Sequence, residues 1–136
     1  MSTIMVFTNE YITVEYYTDK KLIYHTIHQP IGDQVQMFQQ AMNAGTEALK
    51  KYGACKWLSD DRKNGPVPHE VIEWGFTDWN PRTIKAGWKY WANIVPEETA
   101  SAGTLIPIIE DLYKLGLRMQ VFTKETDGLA WLEKLN

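Results

Sequence analysis

Trp57-Leu58-Ser59-Asp60-Asp61-Arg62 is the stretch on which the reading of this chain turns. An apolar run, Ala54 to Leu58, leads into it, and three ionisable side chains stand at its end before Gly65-Pro66 turns the chain away. A long helical pattern precedes the run. A strand reached through such a helix is usually parallel to the strand before it, because a parallel return needs a crossover of a dozen or more residues. In open α/β sheets the carboxyl edge of parallel strands is where ligands bind, so Asp60, Asp61 and Arg62 occupy a place where a site is expected. Trp79-Asn80-Pro81-Arg82 follows, and is expected to close over the same edge.

Upstream, Tyr11 to Tyr17 alternates: Ile12, Val14 and Tyr16 face one way, and Tyr11, Thr13, Glu15 and Tyr17 the other. Leu22 to His28 repeats the alternation, with Thr18-Asp19-Lys20 as the turn between them, which predicts a β-hairpin. Pro30 and Gly32 end it. Asp33 is placed to cap a helix running to about Tyr52, since its carboxylate can accept the free amide hydrogens of a first turn. Val35, Phe38, Met42, Leu49 and Tyr52 recur at helical spacing, opposite Gln36, Gln39, Asn43, Glu47 and Lys50. Gly53 supplies a left-handed residue to finish it.

Downstream, Asp60 to Pro68 reads as a loop, and Pro68 as the first residue of a second helix holding Val71, Ile72, Trp74 and Phe76. Asn80-Pro81 repeats the start signal, so Arg82 to Ala86 is predicted as a short helix stopped by Gly87. Trp88 to Val95 is apolar on both faces, as a central parallel strand is. Glu97 to Leu115 contains Gly103 and Pro107; a proline inside a helix costs about 3 kcal/mol, so two short helices are expected. Leu117 to Phe122 is the last strand, and Thr123 is placed to cap a final helix with Leu129, Leu132 and Leu135 on its apolar side. The order β-β-α-β-α-β-α-β-α predicts an α/β fold. Its mixed sheet has about five strands, an N-terminal antiparallel hairpin and then parallel strands, with about four to five helices.

With 136 residues the chain is expected to form a single domain, 1–136, large enough to bury a core of its own. Cys55 has no cysteine to pair with and lies in an apolar run, which reads as an inert thiol in a reducing compartment. A formal charge of −3 and a pI near 5.6 argue against nucleic acid or an anionic membrane as partner. Met1-Ser-Thr-Ile-Met lacks the basic start and apolar core of a signal peptide, and no run of about 18 apolar residues suggests a membrane span. A cytoplasmic domain is the expectation.

The element order, with Trp-Leu-Ser-Asp-Asp-Arg at 57–62, Trp-Asn-Pro-Arg at 79–82 and Leu-Ala-Trp-Leu at 129–132, resembles the SpoIIAA-like group. This is the STAS-type fold of bacterial anti-sigma-factor antagonists. The chain is most similar to the small stand-alone proteins of that group, often placed with lipid-transfer domains by fold. The resemblance implies a phosphorylatable serine in an Asp-Ser-Ser/Thr-Gly motif after a central strand. Here the region reads Leu58-Ser59-Asp60-Asp61-Arg62. A phosphate on Ser59 would add nearly two negative charges beside two carboxylates, with only Arg62 to offset them, so no phosphorylation switch is expected.

Trp57, Asp60, Arg62, Trp79 and Arg82 are the candidate ligand-binding residues. Two arginines beside tryptophans can grip an anion through bidentate hydrogen bonds and stacking. The favoured plainer reading is a structural ion pair that orders the loop, and for the six tryptophans, core or interface. No metal site is expected: His25 and His28, three apart on a strand, face opposite ways, and His69 stands alone. No phosphate loop, nucleophile elbow or Ser/His/Asp order appears, and adjacent Asp60 and Asp61 should diverge, so no enzyme and no cofactor are predicted. The leading expectation is a non-catalytic regulatory or interaction domain with a regulatory protein partner. A binder of a small apolar or anionic ligand in a Trp/Arg-lined pocket is the alternative. A homodimer through the hairpin is also expected, because Tyr11, Ile12, Val14, Tyr16, Tyr17, Leu22, Ile23, Tyr24 and Ile27 make both its faces apolar or aromatic.

Overall fold

The structure, a computed structural model, describes residues 2–135. Six strands form one sheet in sequence order: β1 (Thr3–Thr8), β2 (Ile12–Tyr17), β3 (Leu22–Ile27), β4 (Lys56–Asp60), β5 (Tyr90–Ile94) and β6 (Arg118–Phe122). β1, β2 and β3 pair antiparallel, and β3 through β6 pair parallel, with β5 interior between β4 and β6. The helices are α1 (Val35–Tyr52), α2 (His69–Trp74), α3 (Asn80–Lys85), α4 (Glu97–Ala102), α5 (Ile106–Lys114) and α6 (Glu125–Glu133). The mixed α/β sheet, with its antiparallel hairpin and parallel continuation, is therefore as expected. The split at Gly103 (φ 69°) and Pro107 is also present.

Each parallel crossover advances one place in the same direction, and right-handed crossovers then put all their helices on one face. Residues from α1, α3 and α5 accordingly share a core with Ile23, Trp57 and Met119 of the strands. α6 follows the last strand and folds onto the other face, over Leu58, Ala92 and Ile94. Glycine sets how closely two helices approach. A Cβ on Gly45 of α1 would lie 2.4 Å from the Trp57 ring, and one on Gly128 of α6 would lie 2.7 Å from Ile94 Cδ1.

Several local expectations give way. Ile4 to Phe7 lies within a sixth strand, β1, along the edge of β2. Asp33 does not cap α1: Gly32 and Asp33 form a turn closed by the Gln34 N–H on the Ile31 carbonyl, and the helix starts after it. Pro68 is extended and precedes α2 rather than opening it. Thr123 lies in a bend, and Lys124 holds the extended position before α6 without a side-chain cap.

Asn80 is not a cap either, because the chain never leaves helical geometry between α2 and α3. A π-helical turn, Gly75–Trp79, joins them, and the Asn80 N–H reaches back to the Gly75 carbonyl. Pro81 has no N–H, and its ring crowds the carbonyl four residues back. The wider turn just before it lets the helix pass.

The hairpin is covered within the chain. Ile12, Val14, Tyr16, Leu22, Ile23, Tyr24 and Ile27 are all buried, and α1 packs on β1, β2 and β3. Tyr11 and Tyr17 are half-buried, the latter stacked on Tyr24 at 5.0 Å. The apolar side chains left outside on this edge are Ile4 and Met5 of β1. Among the described residues no helix is long and apolar enough to cross a membrane.

Candidate functional site

Strand alternation sends Trp57, Ser59 and Asp61 to the face under α1, and Leu58 and Asp60 to the face under α6. The ionisable corner is thus divided by the sheet. On the α6 side Arg62 grips Asp60 with two parallel bonds, Nε to Oδ1 at 2.9 Å and Nη2 to Oδ2 at 2.7 Å, and its backbone N–H adds a third at 3.2 Å. Burial works to raise the Asp60 carboxyl, but these bonds and the Arg62 charge outweigh it and hold the group below the usual aspartate value. Tyr24 Oη donates to Glu125 on the same side; burial first, and then that bond, raise its phenol far above the ordinary value.

On the α1 side three groups form a chain. The Trp57 indole N–H donates to His25 Nδ1 at 3.0 Å, and His25 Nε2 lies 2.9 Å from Asp61 Oδ1. An indole nitrogen only donates, so Nδ1 carries no hydrogen and Nε2 is the donor to Asp61. Both ring nitrogens are therefore engaged. Ser59 is fully buried, and its hydroxyl oxygen accepts the Trp91 indole N–H.

Above this chain lies a cavity of about 190 Å³. Its floor is the α1 face of the parallel strands, with His25, Ser59 and Asn93 toward their carboxyl ends and Met119 toward the amino end of β6. Phe38 and Met42 of α1 form one wall, and Leu105 and Ile108 another. α2 and the π-helical turn close it with Val71, Trp74, Phe76 and Trp79. Five of the six tryptophans line it: Trp57, Trp74, Trp79, Trp88 and Trp91. Their rings form one connected set, with Trp79 at 5.2 Å from Trp57, 5.1 Å from Trp88 and 6.1 Å from Trp74, and Trp88 at 5.3 Å from Trp91. Trp131 is on the other face, against Phe122 and Tyr90.

Most polar groups of the wall are paired, and Asn64 Oδ1 accepts the Ile31 N–H. Two are not. Trp79 Nε1 and Asn93 Oδ1 are buried without a hydrogen-bond partner. Leaving a buried donor or acceptor unmatched costs about 1–3 kcal/mol, so a folded chain that keeps two such groups in one cavity has reason to fill it.

Of the residues picked out by sequence, the structure brings Trp57 and Trp79 together in the cavity. Asp60 and Arg62 meet each other on the opposite face. Arg82 joins neither set: it pairs with Asp78 at 3.0 Å and bonds Asn43 Oδ1 at 2.9 Å, on the exposed seam between α3 and α1. No arginine lines the cavity. Sequence reasoning weighed Trp74, Trp88 and Trp91 with the other tryptophans and favoured core or interface, considered His25 only as a metal ligand, and passed over Asn93. Asn93 carried a signal, as a polar residue inside the apolar run Trp91-Ala92-Asn93-Ile94. So did His25, at an inward position of an alternating strand between Ile23 and Ile27.

Among the described residues no three His, Cys, Asp or Glu side chains gather as a metal set. Compared with known proteins, the chain matches no family model, no curated protein and no solved structure.

Proposed function

We propose that this chain is a non-catalytic binding domain that holds a small, largely apolar ligand in its tryptophan cavity. One observation carries the reading: five indoles line a cavity on the α1 face that reaches the carboxyl edge of the parallel strands at Ser59, Asp61 and Asn93, and two buried polar atoms of its lining residues are unpaired. That edge is where α/β sheets hold ligands, and an apolar cleft with a few convergent polar groups is the usual form of such a site. An apolar ligand is favoured over an anionic one because Arg62 and Arg82 are outside the cavity, each bonded to a carboxylate. The non-catalytic part is supported by His25, both of whose ring nitrogens are already bonded.

A second reading, that the chain works through protein contacts, draws on the exposed Ile4 and Met5 at the outer edge strand. An uncovered strand edge invites pairing with another chain, including a second copy of this one. Placement with the SpoIIAA-like group belongs to this reading, supported by a hairpin leading into parallel strands. Complete burial of Ser59 supports the absence of a phosphate switch. Intact mass after incubation with an anti-sigma-type kinase tests that point, and an added phosphate on Ser59 would restore the antagonist role.

Native mass spectrometry of the protein purified from its own host separates the two readings. A small mass retained on the monomer is expected from the first, and a dimer or a bound protein from the second. A bare 15.7 kDa chain in every charge state would overturn the first.

A further inference from the structure

We infer that the cavity takes a neutral, planar heteroaromatic molecule that carries a hydrogen-bond acceptor and an N–H donor on its edge, a lactam being the simplest such group. The inference rests on the binding function proposed above and specifies its ligand.

The two unpaired wall atoms are complementary: Trp79 Nε1 is a donor, and Asn93 Oδ1 an acceptor. Both residues are more than nine-tenths buried, at 7% and 6% exposure. They come from different elements, Trp79 from the π-helical turn and Asn93 from β5, and do not bond each other. Buried polar atoms in native folds are nearly always partnered, so an occupant that answers both is favoured over one that answers neither. Several other polar groups of the wall are already engaged. Trp57 is spent on His25, His25 on Asp61, and Trp91 on Ser59.

Shape and charge follow from the same wall. Indole rings around the cavity favour a flat aromatic guest, which gains from offset and edge-to-face ring contacts beyond its buried area. The ionisable side chains lining the cavity are His25 and Asp61, bonded to each other. An anion would face the Asp61 carboxylate with no cation to meet it. A quaternary ammonium ion would find aromatic faces and a carboxylate, but would leave the Trp79 N–H unanswered. An acyl chain would leave both wall atoms unanswered. A lactam edge supplies a carbonyl for Trp79 and an N–H for Asn93.

The test is a calorimetric series on the intact chain with two-ring probes suited to a cavity of about 190 Å³. The probes are quinolin-2-one, its N-methyl derivative, naphthalene and benzyltrimethylammonium. Quinolin-2-one should bind about tenfold or more tighter than naphthalene, and N-methylation should remove most of that advantage. Asn93→Leu and Trp79→Phe should bring the two affinities together. Because N-methylation changes only the probe, the outcome stands even where a variant fails to fold. Equal binding of quinolin-2-one and naphthalene would overturn the lactam inference and leave the binding function standing. Tightest binding by benzyltrimethylammonium would overturn it in favour of a cation cage. Binding of none of the four would overturn the inference and the proposed function together.

Discussion

Asp60 and Asp61 are neighbours in sequence and belong to different environments in space. On the α6 face Asp60 is closed off by the Arg62 fork, and the Tyr24 hydroxyl by Glu125, so these polar groups near the strand end are bonded to one another. On the α1 face Asp61 ends a chain of donors that begins at Trp57, and next to it two polar atoms are left open. The closed face has the pairing of a structural element. The open face has the pairing of a site. One sheet, by alternating its side chains, keeps the two functions apart within a single dipeptide.

The contrast can be broken most severely at its centre. Trp57 is 1% exposed and touches His25, Trp79 and Trp88, so Trp57→Ala should cost about 3–5 kcal/mol in a denaturant titration. A loss under about 1 kcal/mol would mean that the indole set does not hold the α1 face together.

Next in size is the seating of α1. Gly45→Ala would gain helix propensity but force its methyl into the Trp57 ring, for a net loss of about 1–2 kcal/mol. Trp57→Phe should relieve that clash, so the double variant should lose less than the sum of the two single ones. Strict additivity would show that Gly45 and Trp57 do not touch.

The closed face is weaker and depends on pH. Arg62→Ala leaves the Asp60 carboxylate without its fork, and should cost about 1–2 kcal/mol at neutral pH, the modest figure reflecting an Arg62 side chain that is 44% exposed. The folded chain binds the Asp60 proton less tightly than the unfolded chain does. The contribution is therefore complete above the ordinary value of 3.8 and is lost as the pH falls through the lower folded value. Arg62→Ala should flatten that acid arm of the stability curve. An arm as steep as the parent's would locate its origin elsewhere.

Smallest of all is Arg82→Ala, on the exposed seam with Asp78, at no more than about 0.5 kcal/mol. It should leave ligand binding unchanged, and a large loss of binding would return Arg82 to the site.

The parts of this design that follow a period were readable in the residues. Alternation from Tyr11 to Tyr17 and Leu22 to His28 marks the hairpin, and an apolar run on each side of a helix-length interval marks parallel strands. Positions set by side chains meeting across long separations were not readable. Asn80-Pro81 has the composition of a helix start, yet the π-helical turn before it keeps the chain helical, and nothing local distinguishes the two. Trp57 and Trp79 were singled out because they stand near charged residues, but their shared feature is the cavity face. Arg62 and Arg82 were grouped by residue type, while the chain places one on the α6 side of the sheet and the other on α3, at its seam with α1. Asn93 was the most informative residue passed over, because a polar side chain in a buried strand needs a partner.

The most direct test of the central claim uses the sixth tryptophan as its control. Naphthalene titrated into ¹⁵N-labelled protein should shift indole N–H resonances of Trp57, Trp74, Trp79, Trp88 and Trp91, which line the cavity. The Trp131 resonance, on the opposite face against Phe122, should hold still. Shifts that include Trp131 to the same extent, or no indole shift up to the solubility limit of the probe, would contradict a binding site on the α1 face.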